Sequence, residues 1–223
     1  MKYRHEIKHE ITNADLLTLR MRLSAVMQRD VHAINGKYEI RSLYFDTPAD
    51  TALREKIDGV NRREKFRIRY YNNDLSNIML EKKSKINGLC LKESCPISKE
   101  EAELIVDGNL CWMANDPRPL IQELHSKMRT QLLAPKTVVD YTREPFVFPA
   151  GNVRVTIDYN IRTGLSSTDF LNPKLSTILT GDNTIILEVK WDEFLPDIIK
   201  DAVTLPGRRA GAFSKYARCR VYG

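Results

Sequence analysis

The sequence lacks several features that would place it in common protein classes. No apolar run approaches the roughly 20 residues of a membrane-spanning helix, and the first residues contain no apolar signal-peptide core. The cysteines are scattered, without zinc-ligand spacing and without a histidine-rich cluster beside them, at positions Cys90, Cys95, Cys111 and Cys219. We therefore expect a cytoplasmic protein with free thiols.

The chain also contains no internal repeat, no low-complexity segment and no obvious linker. The glycine-containing segment 207–211 does not have the spacing of a phosphate-binding loop. Of the 223 residues, 42% are hydrophobic and 29% are charged, which is typical of a globular protein with a core. We predict a single domain over residues 1–223.

What the chain does contain is an excess of positive charge. It has 35 Lys and Arg against 29 Asp and Glu, for a net charge of +6 and a pI near 9.1. This balance favours anionic partners such as nucleotides, polyphosphate, nucleic acid or acidic lipid, without choosing among them.

Charged and apolar residues alternate with a period of two in five segments. The clearest segment places Arg63, Lys65, Arg67 and Arg69 on one strand face and apolar side chains on the other. One such face is typical of a solvated strand. Five such faces together predict a sheet folded around a charged interior, and they recur at residues 6–11, 80–85, 153–158 and 187–191.

Periodicity and turn signals predict an α+β fold. Helices are expected at 12–29, 98–106, 119–132 and 196–203, and a basic, less regular tail at 208–220. Strands are expected at 3–11, 39–45, 63–71, 78–85, 89–95, 137–141, 153–159 and 184–191. Because strand follows strand with hairpin signals at 72–74 and 87–88, we predict an antiparallel eight-stranded β-barrel, a tunnel, with helices packed outside.

The predicted interior carries more cations than carboxylates. Its expected cations are Lys8, Arg67, Arg69, Lys83, Lys92, Arg143, Arg154, Lys190 and Lys215, and its expected acids are Glu6, Glu10, Glu81, Asp158 and Glu188. Burying unpaired like charges costs several kcal/mol, so the interior must be wet or hold an anion. A chain of phosphates fits best, because Arg binds phosphate oxygens in pairs and Lys acts as a point charge.

Glu188 lies among these cations and is the candidate ligand for a divalent metal ion, which prefers oxygen ligands and bridges carboxylate and phosphate. This combination suits phosphoryl transfer, where the protein mainly positions groups and stabilises charge. The alternative is an open sheet whose charged faces are all solvated.

Eight segments in chain order carry a resemblance to a known family: 4–8, 41–48, 66–71, 80–85 with Lys92, 141–143, 153–158, 187–190 and 213–216. Together they cover nearly the whole chain. The sequence resembles the triphosphate tunnel metalloenzymes and, within them, the catalytic domain of the vacuolar transporter chaperone (VTC) polyphosphate polymerases.

This resemblance implies an eight-stranded tunnel that makes polyphosphate from the γ-phosphate of ATP, with Mn²⁺ or Mg²⁺ as cofactor. The implied catalytic residues are Lys8, near the transferred phosphoryl group, together with Arg67, Arg69 and Glu188. Glu188 holds the metal, and Glu6 and Glu81 line the tunnel as further candidate metal ligands. Substrate binding falls to Lys83, Lys92, Arg143, Arg154, Lys190, Ser214 and Lys215.

One departure bears on the reaction. Many hydrolases of the superfamily begin with a Glu-x-Glu-x-Lys strand, whereas here Lys8 stands where that pattern has an acid. This favours the polymerase branch. The alternatives are a tripolyphosphatase or nucleoside triphosphatase, and a non-catalytic polyphosphate-binding module.

Expected partners are ATP and polyphosphate or another phosphate polyanion. No segment resembles the SPX domain or the membrane helices of the eukaryotic complex, so a membrane role would need a separate partner subunit. Nucleic acid is disfavoured, because the basic strands lack interleaved exposed aromatic residues. Within the first basic strand, we expect Arg67 and Arg69 inside the tunnel and Arg63 and Lys65 at its mouth.

Overall fold

A computed structural model describes residues 3–181 and 183–221. The helices are α1 (Asn13–Val26), α2 (Thr51–Ile57), α3 (Lys99–Val106), α4 (Pro119–Thr130), α5 (Asp197–Val203) and α6 (Lys215–Arg220). The strands are β1 (His5–Ile11), β2 (Gln28–Arg29), β3 (Tyr38–Asp46), β4 (Arg63–Tyr71), β5 (Ile78–Ile86), β6 (Leu89–Ile97), β7 (Ala134–Phe148), β8 (Val153–Thr163), β9 (Ile178–Leu179) and β10 (Ile185–Trp191). Within the described residues, no helix has the length and apolar character needed to cross a membrane.

Eight strands form one curled antiparallel sheet in the order β1-β10-β8-β7-β3-β4-β5-β6. The short strands β2 and β9 pair with β7 and β8 at its margin. The two end strands approach each other at one bridge between Arg4 and Cys90, whose backbone N–H groups each donate to the other's carbonyl at 3.1 and 3.2 Å. The sheet therefore curls into a tunnel, which confirms the predicted antiparallel eight-stranded fold.

Two clusters of apolar side chains lie on the outer face of the sheet, under α1, α3, α4 and α5, and a third packs α6 against the other face of β3. One cluster joins β3, β4 and β5 to α3 and α4, and includes Ile68, Leu80 and Leu124. A second joins β1, β8 and β10 to α1 and α5, and includes Leu19 and Leu187. Because side chains alternate between faces, this outward packing of apolar residues turns the charged residues inward.

The local signals in the sequence are used as predicted. Thr12 and Ser98 are helix N-caps that form capping boxes at the starts of α1 and α3. The β4–β5 turn uses left-handed Asn72 and Asn73, with φ of 52° and 57°. Gly88 has φ of 81° in the two-residue turn between β5 and β6, a conformation that glycine adopts without strain.

The observed elements differ from the predicted ones in several places. The first helix ends at Val26 rather than at residue 29, because Gln28 and Arg29 pair with β7. Strand β7 runs from Ala134 to Phe148, far beyond the predicted 137–141, since both of its edges are paired. Helices α2 and α6 were not predicted; α6 lies in the tail expected to be irregular.

Candidate functional site

Two adjoining cavities fill the tunnel. The inner chamber, of about 360 Å³, is lined among others by Arg67, Arg69, Lys92, Tyr141, Arg143, Arg154, Glu188, Lys190 and Lys215. The outer chamber, of about 320 Å³, is lined by Lys56, Arg63, Lys85 and residues 210–212. Both are lined by Glu6, Lys8, Lys65, Lys83, Phe213 and Ser214. Every residue of the predicted site except Glu81 therefore lines the inner chamber.

The centre of the tunnel is a lysine held between two carboxylates. Lys8 Nζ lies 3.1 Å from Glu6 Oε1 and 3.1 Å from Glu188 Oε1. Lys190 Nζ lies 2.7 Å from Glu188 Oε2, and Lys83 Nζ lies 2.7 Å from Glu6 Oε2. The register of β1 on β10 creates this arrangement, because it sets Lys8 opposite Glu188 and Glu6 opposite Lys190.

These charges hold one another in their ionised forms. Burial and Glu188 raise the pKa of Glu6, but Lys8, Lys83 and Lys190 outweigh them and bring that pKa down to about 2. Burial also opposes ionisation of Glu188, yet Lys190 and the other nearby cations hold its pKa well below the ordinary value. Both carboxylates are therefore charged at neutral pH and able to bind a cation.

The arginines of β4 are oriented by neighbouring polar groups. Arg67 donates from Nε to Glu81 Oε2 at 2.7 Å and from Nη1 to the Tyr44 hydroxyl at 2.8 Å. Arg69 donates from Nε to Ser42 Oγ at 2.9 Å and from Nη2 to the Tyr141 hydroxyl at 2.8 Å. These fixed guanidinium groups are prepared to bind an anion without first becoming ordered.

Glu81 lies behind the chamber wall. Its side chain is 3% exposed, and it accepts from Arg67 and from Lys92, whose Nζ lies 2.9 Å from Oε1. Unlike Glu6 and Glu188, whose oxygens are also paired with lysines, Glu81 lines neither chamber. This geometry favours a role in orienting Arg67 and Lys92 over the predicted role in metal binding.

A second buried acid organises the opposite wall. Asp158 accepts from Arg143 Nε and Nη2 at 2.7 and 2.8 Å, and also pairs with Lys215. Burial raises the pKa of Asp158, but Arg143 and Lys215 lower it to about 2. Lys215 begins α6, and the hydroxyl of Ser214 accepts from the N–H of Ala217, so the predicted phosphate contact Ser214 is also a helix cap.

The guanidinium group of Arg154 has an N–H group without a hydrogen-bond acceptor among the described residues. Its Nη2 donates to Asp30 Oδ2 at 3.0 Å, but its buried Nε has no hydrogen-bond partner among the described residues. A buried N–H without an acceptor is costly, and a phosphate oxygen would satisfy it. Glu10, expected inside, is exposed at the end of β1 and lines neither chamber.

Sequence reasoning placed Lys65 wrongly and passed over the tyrosines. Lys65 lines both chambers, with its Nζ 5.1 Å from the centre of the Tyr44 ring, whereas Arg63 lines only the outer chamber of the two. Tyr44 and Tyr141 also line the inner chamber. The signal for Lys65 was present, because it precedes Arg67 by two residues and shares its face.

The donor set fits a divalent metal ion only together with a phosphate ligand. Within residues 3–181 and 183–221, no group of three or more His, Cys, Asp and Glu side chains is arranged to hold a metal. Glu6 and Glu188 present two carboxylates at the chamber wall. Mg²⁺ is commonly bound by one or two carboxylates, with phosphate oxygens and water completing the shell, so these two residues suffice once a triphosphate is bound.

A family model described as the VTC domain matches residues 3–221. The chain belongs to the VTC domain family. This confirms the resemblance drawn from the ordered sequence segments. The match spans both chambers, so the inner-chamber residues are those of a VTC domain.

Solved structures share the fold of this VTC domain at low sequence identity. A candidate adenylyl cyclase from Hippeastrum, described as having a dominant triphosphatase activity, is 14% identical with a TM-score of 0.57, over 99% of this chain and 96% of that one. A candidate adenylate cyclase from Bacillus halodurans is 15% identical with a TM-score of 0.51, over 85% and 80%. No curated protein matches the sequence.

Proposed function

We propose that this VTC domain binds the triphosphate of ATP in the inner chamber and transfers its γ-phosphate to a growing polyphosphate chain. The observation that carries the proposal is the central cluster, in which Lys8 lies between the ionised Glu6 and Glu188 amid a surplus of cations. A ligand with several adjacent negative charges complements this surplus of positive charge. A linear triphosphate is such a ligand, and its extended shape fits a tunnel.

In the proposed reaction no side chain of the protein forms a covalent bond to the transferred phosphate. The bond between the γ-phosphorus and the β,γ-bridging oxygen of ATP breaks, a terminal oxygen of polyphosphate bonds to that phosphorus, and ADP leaves. Charge on the transferring group must be stabilised along the way, mainly by positioned cations. Arg67 and Arg69 are already oriented to stabilise this charge by their hydrogen bonds. Lys8 lines both the inner and the outer chamber.

Glu188, with Glu6, is the proposed site for Mn²⁺ or Mg²⁺. When bound, such an ion would neutralise charge on the β- and γ-phosphates. In its absence Lys8 and Lys190 neutralise the two carboxylates, so the site holds its shape before ligands arrive.

The runner-up is hydrolysis of a triphosphate, in which water replaces the polyphosphate acceptor. The triphosphatase activity described for the Hippeastrum protein of the same fold supports hydrolysis as the second candidate. Purified protein incubated with ATP and Mn²⁺ separates the two, since a polymerase yields chains that resolve on a gel. Release of orthophosphate alone would reject the polymerase and support the hydrolase.

A third candidate is a binding module without catalysis. It predicts tight binding of polyphosphate and no turnover of ATP, and it assigns no importance to Glu188. Turnover of ATP by the wild type would therefore reject the binding module. If a Glu188→Ala variant forms as much product as the wild type, our assignment of Glu188 as the metal ligand is wrong.

A further inference from the structure

Three lysines face one another across neighbouring strands in the tunnel wall. In the β4–β5 register Lys65 is opposite Lys83, and in the β5–β6 register Lys83 is opposite Lys92. Like charges directly opposite each other in a sheet are destabilising. A row of this kind needs carboxylates or a bound anion to compensate it.

Two members of the row have carboxylate partners and the third does not. Lys83 pairs with Glu6 at 2.7 Å and Lys92 pairs with Glu81 at 2.9 Å. No ion pair to Lys65 is formed within the described part of the chain; its ammonium lies over the Tyr44 ring. Burial lowers the pKa of Lys65 to about 7; the neighbouring Tyr44 acts against this shift, and repulsion from Lys83, Arg67 and Lys8 adds to it.

Lys65 lies where the inner chamber opens into the outer one. Beyond it, the outer chamber continues with Arg63, directly opposite Lys85, and with Lys56 from α2. Glu6 and Glu64 are the acids that line this chamber. Glu6 forms ion pairs with Lys8 and Lys83. Glu64 forms ion pairs with Lys82 and Lys127. The row of cations therefore extends past the space that a triphosphate in the inner chamber would fill.

We propose that Lys65 favours long polyphosphate over triphosphate, because it binds the phosphate units that extend from the inner into the outer chamber. The inference rests on the proposed function, since it takes the inner chamber as the triphosphate site. It assigns Lys65 a ligand class, linear inorganic polyphosphate longer than three units, and explains why this cation has no carboxylate partner. A lysine kept in a tunnel without one costs stability, and an arriving phosphate would offset that cost.

The test is binding without turnover, measured by titration calorimetry in the absence of nucleotide and metal. The ligands are inorganic tripolyphosphate and a long linear polyphosphate. The variants are Lys65→Gln, the charge-retaining Lys65→Arg, and Lys99→Gln as a control that removes one positive charge from α3 outside the tunnel. Arg67→Gln serves as the reference for a residue of the inner chamber.

Lys65→Gln is expected to weaken binding of the long chain about tenfold, equivalent to about 1.4 kcal/mol, with a markedly smaller loss for tripolyphosphate. Lys65→Arg should retain most of the affinity for both ligands, and Lys99→Gln should match the wild type. Arg67→Gln should weaken both ligands to a similar degree.

Equal losses for both ligands in Lys65→Gln would overturn the inference, because Lys65 would then belong to the triphosphate site. No loss for either ligand would overturn it as well. If the wild type binds both ligands but forms no polyphosphate from ATP, the polymerase proposal fails while the ratio of affinities still decides the role of Lys65.

Discussion

At the residue scale, the acids of the tunnel are shared among several cations. Glu188 contacts Lys8, Lys190 and Arg143, and Asp158 contacts Arg143 and Lys215. Since each acid neutralises more than one neighbour, removing one leaves several buried charges uncompensated. Loss of an acid should therefore leave cations uncompensated, whereas loss of a cation should reduce the surplus of positive charge in the tunnel.

Glu188→Gln is expected to reduce metal-dependent turnover of ATP at least about a hundredfold, since loss of a group that only supports a metal ligand already costs about 10- to 100-fold. Metal-free binding of tripolyphosphate should persist or strengthen, because a negative charge beside the phosphates is gone. Steady-state kinetics and calorimetry measure the two effects. Glu10→Gln, an exposed change on the neighbouring strand β1, is the matched control; turnover by Glu188→Gln equal to that of this control would refute the metal assignment.

Lys65→Gln is expected to stabilise the protein without ligand by more than about 1 kcal/mol near pH 6, since each unit by which the pKa is lowered is equivalent to about 1.4 kcal/mol. The pKa of Lys65 is lowered from 10.5 to about 7 in the folded protein. Below pH 7 the lysine is charged in both states and its cost to folding is complete. As pH rises from about 7 toward 10.5 only the unfolded chain keeps the proton, so wild-type stability recovers.

The gain from Lys65→Gln should therefore shrink as the pH rises toward 10, which thermal unfolding at a series of pH values measures. A variant less stable than the wild type at pH 6 would show that Lys65 is compensated in the free protein. A gain that grows with pH would contradict the direction of the pKa shift.

At the element scale, helices α2 and α6 are tied to the end of β3 by one carboxylate. Asp46 accepts from the backbone N–H groups of Thr47, Ala52 and Leu53, and from the hydroxyl of Tyr216 on α6. The Tyr216 ring stacks on Tyr44 with ring centres 5.2 Å apart. Since Tyr44 receives a hydrogen bond from Arg67, α6 supports an arginine of the site.

Tyr216→Phe should cost about 1 kcal/mol of unfolding free energy, because Asp46 and Arg220 each lose a hydrogen bond to the hydroxyl. The ring stack on Tyr44 is kept, so catalysis should change little. Tyr216→Ala removes the stack as well and should raise KM for ATP. Denaturant unfolding and kinetics of both variants measure this, and identical KM values for the two would argue against support of Arg67 through Tyr44.

The elements that sequence reasoning predicted are those with local signals. Alternation over residues 63–71 gave β4 its observed bounds, and the Ser98 capping box marked the start of α3. Helix α2 depends on Asp46, which precedes the helix in the chain and accepts from the N–H groups of its first turn, so a pattern within the helix does not predict it. The extension of β7 likewise depends on partners far away in the chain.

The same division holds for the site. Strand alternation, read with the family resemblance, selected the residues that line the inner chamber. It could not show that Glu81 lies behind Arg67, nor that Lys65 joins the two chambers, because both depend on how the sheet curls. The predicted cytoplasmic location and the possible membrane partner stay predictions.

At the scale of the whole molecule, the surplus positive charge of the tunnel predicts that binding of a polyanion stabilises the fold. Arg154 Nε lacks an acceptor within the described chain, and Lys65 lacks a carboxylate there. A polyanion would compensate both. Binding and folding should therefore be strongly linked.

Tripolyphosphate at about one hundred times its Kd should add about 2.7 kcal/mol of stability. For a chain of this size that corresponds to a rise in Tm of about 5–10 °C. Sodium chloride of equal ionic strength should not reproduce it, since screening weakens exposed pairs more than buried ones. A rise of the same size with either salt would indicate general screening in place of a site.

The most direct test of the central claim is the product formed from ATP and Mn²⁺, followed by phosphorus NMR. Signals of mid-chain phosphates should grow together with ADP, and both should grow far more slowly with Glu188→Gln. If ATP is consumed and only orthophosphate and ADP accumulate, the tunnel hydrolyses triphosphate and the polymerase account is wrong.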